Sequence, residues 1–230
     1  MTRSILNSVL MGALVTLVLT GCDAGAPENE QCTPPCSSLD TQALQQLTND
    51  QLFNRLDTDT QLSTEDRQAI IDVAISQYAN DARFWVARSQ LYQQQGQRRL
   101  ALADITRAVQ LDPLSGEYLV LRAKVYRLNG ELAATLRDLD QAIEVNPLLA
   151  DAWQARGELR FSQAEYQQAL QNFNRAIALE PALTQAWYNR ANTHHVMGNQ
   201  QKAVADLEQF LALESDPSRR LQAENLLSQW

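Results

Sequence analysis

Residues 150–183 read ADAWQARGELRFSQAEYQQALQNFNRAIALEPAL, a stretch of 34 residues whose layout recurs on both sides of it. The preceding 34, GEYLVLRAKVYRLNGELAATLRDLDQAIEVNPLL (116–149), carry the same pattern, as do residues 82–115 and 184–217. Pro113, Pro147 and Pro181 stand 34 residues apart, as do Arg88, Arg122, Arg156 and Arg190, and Asp104, Asp138, Asn172 and Asp206. The fourth position of each unit holds Trp85, Leu119, Trp153 or Trp187, the eighth Ser89, Ala123, Gly157 or Ala191, and the eleventh Tyr92, Tyr126, Arg160 or His194. In the second half, Ala101, Thr135, Ala169 and Ala203 share one column; Ile105, Leu139, Phe173 and Leu207 share another; Ala108, Ala142, Ala176 and Phe210 share a third. Steps of three and four residues place each set on one face of a helix. Gly96, Gly130 and Gly198 mark where one helix ends and turns into the next. Proline ends the second helix, because it lacks an N–H and turns the residue before it away from helical angles. The small residues at the eighth and twentieth positions let two helices approach closely, and the large fourth residue fills the groove beside them.

This pattern resembles the tetratricopeptide repeat over residues 82–217, in four units, 82–115, 116–149, 150–183 and 184–217. The resemblance implies an all-α, right-handed α-solenoid of stacked helix-turn-helix units. Because no unit buries its apolar face alone, such a stack needs terminal caps. Residues 39–81 read as a degenerate unit: Ser63-Thr64-Glu65-Asp66 is a helix start before Ile70, Ile71, Ala74 and Ile75, and Leu39 to Leu56 form the expected first helix. Residues 218–230 read as a C-terminal capping helix. Asp216 and Pro217 suit its start, and Ala223, Leu226, Leu227 and Trp230 form its apolar stripe, against which the bulky Phe210 fills space.

In the family that this pattern resembles, function lies on the concave face, lined by first-helix side chains. Carried onto this chain, that face comprises Arg83, Val86, Gln90 and Gln93; Glu117, Val120, Lys124 and Arg127; Asp151, Gln154, Glu158 and Phe161; Gln185, Tyr188, Asn192 and His195. Amides dominate, with a basic spot at Lys124 and Arg127 and an aromatic pair, Phe161 and Tyr188. Such a mixture suits hydrogen bonding and stacking along a peptide. The family's clamp for a C-terminal carboxylate is not reproduced; Lys124, Arg127 and Asn192 are a fragment of it.

The recurring Arg and Asp columns read as ion pairs within each unit, since the two helices bring them to matching heights, with Asn172 retaining only a hydrogen bond. Exposed pairs of this kind contribute about 0.2–1 kcal/mol each. Catalytic signatures are sparse. Adjacent His194 and His195 point about 100° apart on a helix and do not chelate one metal together. No catalytic residue, metal, cofactor or small-molecule substrate is expected. An enzyme with a hidden site would have to use His195, Glu158 and Asp151.

Ahead of the repeats, Met1-Thr2-Arg3 and the apolar run from Ile5 to Leu19 read as a secretion signal, residues 1–21. Leu19-Thr20-Gly21-Cys22 resembles the lipobox of bacterial lipoproteins, which implies diacylglyceryl transfer to Cys22 and cleavage that makes it the mature N-terminus. In the family a third acyl chain, commonly palmitate, follows, and two or three chains hold where one does not. Asp23 looks like the residue that retains some lipoproteins in the inner membrane, a rule that varies between lineages, so inner and outer membrane both stay open. Residues 22–38, with Gly, Pro, Asn, Glu and Ser, read as a tether. Within it, Cys32 and Cys36 flank Thr33-Pro34-Pro35. An exported location permits a disulfide between them, yet consecutive prolines favour an extended chain, so intrachain pairing and free or intermolecular thiols are both open.

The 19 Lys and Arg against 27 Asp and Glu set the net charge at −8. An acidic surface repels phosphate backbones, which argues against nucleic acid. The combined expectation is a non-catalytic scaffold, held to a membrane by its acylated N-terminus and facing the periplasm or cell exterior, that binds a protein or peptide in its groove. The alternative is a structural assembly factor of a larger envelope machine such as a pilus or secretion apparatus.

Overall fold

The computed structural model describes residues 39–230 as twelve α-helices. Helices α1 (Thr41–Leu44), α2 (Asn49–Thr58) and α3 (Thr64–Gln77) come first. Four hairpins follow: α4 (Ala82–Gln94) with α5 (Arg98–Leu111), α6 (Gly116–Leu128) with α7 (Leu132–Val145), α8 (Ala150–Ser162) with α9 (Tyr166–Leu179), and α10 (Thr184–Val196) with α11 (Gln200–Leu213). Helix α12 (Pro217–Gln229) closes the stack. The fold is all-α, with no strand among the described residues. None of their helices is long and apolar enough to cross a membrane. The secretion signal, Cys22, the tether, and Cys32 with Cys36 lie outside the described residues.

Each hairpin packs helix against helix, and its second helix packs on the first helix of the next unit. In addition α8 lies against both α6 and α10. The first helices therefore crowd together on the inner side of a curved stack and the second helices form the outer layer. The turns inside the hairpins share one construction. The N–H of Gln97 donates to the carbonyl of Tyr92 at 2.8 Å and that of Glu131 to Tyr126 at 2.9 Å, around a left-handed residue that ends the helix. Glycine supplies that residue at Gly96, Gly130 and Gly198, but the third hairpin uses Ala164, with φ 59°.

At the corners between units, α5, α7 and α9 stop two residues before Pro113, Pro147 and Pro181. The fourth-position tryptophans are not the buried wedges that their column implies. They are half-buried, and each indole N–H donates across the corner: Trp85 to the Ala79 carbonyl at 2.9 Å, Trp153 to Pro147 at 3.0 Å and Trp187 to Pro181 at 2.9 Å. Full burial falls instead to Phe84 and Leu119 and to a tenth-position column, Leu91, Val125, Leu159 and Thr193. The buried arc of a helix flanked by three neighbours is wider than the single stripe that the tryptophans and tyrosines trace.

Both ends are capped. The expected single helix from Leu39 to Leu56 is two helices, because two competing caps divide it. The Asp40 carboxylate accepts from the Gln42 N–H at 2.9 Å, and Thr48 and Gln51 cap each other's backbone N–H groups reciprocally, restarting the chain as α2. Leu44, Leu52 and Leu56 nonetheless bury against Ile70, Ile71, Ala74 and Phe84. Helix α3 starts as its sequence indicates, with the Ser63 hydroxyl accepting from the Asp66 N–H at 3.0 Å. At the far end, Asp216 Oδ1 accepts from the N–H groups of Ser218 and Arg219 at 2.8 and 2.9 Å, and Phe210 packs with Ala223, Leu226, Leu227 and Trp230.

Candidate interaction groove

The four recurring arginines are structural. Arg88 grips Asp104 through two nitrogens at 2.8 and 3.0 Å, Arg122 grips Asp138 at 2.7 and 2.8 Å, and Arg190 grips Asp206 at 2.8 and 2.7 Å. The Arg156 Nε–H donates to the side-chain oxygen of Asn172, Oδ1, at 2.8 Å. The pairing within units is as the columns imply, but the pairs are not exposed: the Asp138 residue is only 3% accessible. A third arm of the guanidinium then crosses to the preceding unit, from Arg88 to Asp72 at 3.1 Å, Arg156 to Asp140 at 2.7 Å and Arg190 to Asn174 at 2.7 Å. Arg122 forms no such bridge, because Thr106 occupies the equivalent place. The guanidinium groups of Arg156 and Arg190 also lie 4.7 Å from the ring centres of Trp153 and Trp187. With planar faces and nitrogens thus engaged, this file of cations has little left for a ligand.

The inner-face residues divide into three groups. Some are buried: Val120, at 3% exposure, belongs to the core with Leu119 and Ala123, and Gln154, at 6%, sits beneath the surface. Neither is open to a partner as expected: Val120 lies on α6 where α8 wedges against it, and Gln154 lies on α8, which is itself packed between α6 and α10. Others are engaged within the chain. Arg83 pairs with Asp81 at 2.7 Å and Asp50 at 2.8 Å and lies over Phe53, and its hydrogen bond holds the Asp81 carboxyl below the usual range. Val86 packs beside Ala101 and Ile105. The Tyr188 ring stands 5.3 Å from Phe210, and His195 stacks on Trp230 at 4.3 Å with its Nδ1 3.2 Å from Gln200 Oε1. The expected pairing of Phe161 with Tyr188 does not form: Phe161 meets Tyr166 at 5.5 Å instead.

The third group forms a site. Arg127, Glu158, Phe161 and Asn192 line one recess of about 290 Å³, together with Ser162, Phe173 and Asn189. Its polar floor is held by a continuous relay. Glu158 Oε1 accepts from Gln154 Nε2 at 2.7 Å and from Asn189 Nδ2 at 3.0 Å, while Oε2 faces Arg127 at 3.3 Å. Asn189 Oδ1 accepts from Gln185 at 3.0 Å, Gln185 accepts from Arg219 at 2.9 Å, and Arg219 pairs with Glu214 at 2.8 Å. Hydrogen bonds from the backbone N–H groups of Asp216 and Ser215, with Arg219 beside them, hold the Glu214 carboxyl below its ordinary value. The relay thus runs from α12 through α10 and α8 to α6, fixing the floor before any partner arrives. Lys124, one turn from Arg127, and the Asn192 amide make no hydrogen bond or ion pair among the described residues.

Gln90 lines a second inner recess, of about 300 Å³, with Phe53, Leu56, Ile71 and Leu91. Gln93 is half-buried close by; Glu117 and Asp151 are exposed, Glu117 accepting from the Ser115 hydroxyl at 3.2 Å. Sequence reasoning omitted Asn189. Its signal was a polar break in an otherwise apolar sixth-position column, Ala87, Leu121, Ala155, Asn189.

The two histidines do not join the acids of the groove. His194 faces Asp206 at 4.0 Å, its Nδ1 is buried without a partner, and burial pushes its pKa below the ordinary value. Among the described residues no three His, Cys, Asp or Glu side chains converge on a metal-sized space.

Stacked helical hairpins with a lined inner face define a helical-repeat protein of the kind that presents a concave surface. Residues 86–142 and 157–228 each match the tetratricopeptide repeat, and together these matches take in more than half of the chain. The chain belongs to the tetratricopeptide-repeat family, whose members are in general protein-interaction scaffolds. Its fold is shared with the solved structure of Pseudomonas aeruginosa pilF, at 14% identity and a TM-score of 0.66, covering 82% of this chain and 85% of that one. It is shared too with MamA, at 19% identity and a TM-score of 0.56, covering 76% of this chain and 91% of that one. A third similar structure is YrrB, described as a tetratricopeptide-repeat protein with an unusual peptide-binding site, at 19% identity and a TM-score of 0.54 over 77% of this chain and 88% of that one. No curated protein matches the sequence.

Proposed function

We propose that the protein is a non-catalytic scaffold, lipid-anchored in the bacterial cell envelope, that holds a segment of a partner protein in its inner groove. The observation that carries the reading is the recess between α6, α8 and α10, where Phe161 and Phe173 supply apolar wall and Arg127 and Asn192 supply polar groups above a pre-bonded floor. Such a floor needs no reordering when a peptide binds, which lowers the entropic cost of association. A peptide-binding site is described for YrrB, a protein of similar fold, which supports peptide binding as the activity. The lipobox-like Leu19-Thr20-Gly21-Cys22 supports the anchor and the compartment.

A photo-crosslinking residue placed at Phe161 in living cells is expected to capture a discrete partner, whereas the same residue at Glu208 on the outer helix α11 is not. Equal capture at both places, or none at Phe161, sinks the groove reading. The anchor is tested separately: metabolic labelling with a palmitate analogue is expected to tag the chain and to be lost in Cys22→Ala.

A further inference from the structure

The groove carries two recesses rather than one, and their chemistry differs. The first lies between α2 and α4, with a floor from α3: Leu56, Ile71 and Leu91 are buried at its base and Phe53 stands at its side. Arg67 also touches it, but its guanidinium is engaged by the carbonyls of Leu56 at 2.8 Å and Asp59 at 2.9 Å, so that cation is part of the wall. Asp57, Gln90 and Gln94, all exposed, form its rim, and beneath them Phe53, Leu56, Ile71, Ala87 and Leu91 leave an apolar base with room for a branched aliphatic side chain. The second recess, between α8 and α10, has Arg127 at its edge with Lys124 one turn away on the same helix. Arg127 is paired with Glu158 at 3.3 Å, while Lys124 has no ion-pair partner among the described residues, so this part of α6 keeps one positive charge in excess on a chain of net charge −8. The two recesses are equivalent places in the repeat plan. Each lies between successive inner helices, floored by the same column of the outer helix, Ile71 in one and Phe173 in the other.

Resting on the groove reading above, we infer that the partner is an extended polypeptide with two anchors: an aliphatic side chain seated in the Phe53–Ile71–Leu91 recess, and an internal Asp or Glu seated against Arg127, Lys124 and Asn192. Three inner-helix spacings of about 8–10 Å separate the seats. An extended chain advancing about 3.3 Å per residue covers that distance in roughly eight residues. Charge complementarity selects the acidic anchor, since a lysine or arginine there meets two like charges. Gln90, at the rim of the apolar recess, and Gln93 close by serve the backbone that leaves it.

The test uses a displayed library of random peptides of about sixteen residues, long enough to span both seats as an extended strand, panned against the full chain in detergent. Enriched sequences are expected to share an aliphatic and an acidic residue roughly eight positions apart. The best of them, synthesised and followed by fluorescence anisotropy, is expected to lose about tenfold in affinity with Ala87→Asp, which blocks the apolar seat, and again with Asn192→Asp. Helical circular dichroism of each variant checks that the stack is intact. Enriched peptides without that spacing, or peptides whose binding responds to one seat only, overturn the two-anchor inference. Capture from Phe161 in cells together with that result leaves the groove reading standing; loss of both removes it as well.

Discussion

Gly157 on α8 faces the ring of Phe173 on α9 so closely that a Cβ at residue 157 would lie 2.5 Å from Phe173 Cε1. The neighbouring units solve the same contact differently, with Ala123 opposite Leu139 and Ala191 opposite Leu207. The third unit thus trades a methyl group for an aromatic ring, and that ring lines the central recess. Gly157→Ala is expected to destabilise by about 1–3 kcal/mol through overpacking. Gly157→Ala with Phe173→Leu, which restores the pairing of the other units, is expected to recover most of that loss. Urea unfolding of the three proteins decides it, and an unaltered midpoint in Gly157→Ala refutes the contact.

Ala164 occupies the left-handed turn position that glycine holds in the other three hairpins, with φ 59°. An L-residue with a side chain is strained there. Ala164→Gly is expected to stabilise by up to about 1 kcal/mol, the relief of strain exceeding the added freedom of the unfolded chain. Gly130→Ala, at φ 79°, is expected to shift stability the other way. Thermal unfolding monitored at the helical band reads both.

The seam between the first and second repeats has no arginine bridge, because Thr106 stands where Asp72 and Asp140 serve the neighbouring arginines. Thr106→Asp is expected to give the free arm of Arg122 a partner and to stabilise by about 0.2–1 kcal/mol, less at high salt. A gain that persists undiminished in concentrated salt rules out the bridge as its cause.

His194 dictates a pH dependence. Burial lowers its pKa from 6.5, with Arg190 and Lys202 acting in the same direction and Asp206 opposing. The folded state therefore prefers the neutral ring, while the unfolded chain takes up its proton near pH 6.5. Stability is full above that pH and falls as the pH drops through it, levelling off below the lowered folded value. Loss from Glu214 and Asp81, whose folded pKa values are lowered from 4.5 and 3.8, begins only in more acid solution. His194→Tyr, the residue that the first two repeats carry as Tyr92 and Tyr126, is expected to remove the decline just below pH 6.5 and leave the more acid one. Unfolding free energies measured across that range separate the two phases.

Much of this molecule is legible one repeat at a time. The 34-residue columns specify helix pairs, their turns, their proline corners and the arginine pairing, because each depends on residues within one hairpin, where sequence spacing dictates height and face. The caps at Ser63 and Asp216 are equally local. The break between α1 and α2 escaped for the opposite reason: two good caps, Asp40 and Thr48, compete within a short stretch and only packing of Leu44 and Leu52 settles both.

What the sequence by itself determined is the stack and its period. What only the tertiary structure decided is which inner-face side chains stay open: Val120 and Gln154 are closed off where α8 packs between α6 and α10, Tyr188 and His195 are taken by Phe210 and Trp230, and Arg127, Phe161 and Asn192 are left around one recess. A column assigns a face, but exposure depends on how closely the next helix, a whole repeat away in sequence, packs against that face. That is set by the volumes of side chains such as Phe173 and by a relay of polar contacts from Glu214 to Arg127, neither of which follows a period.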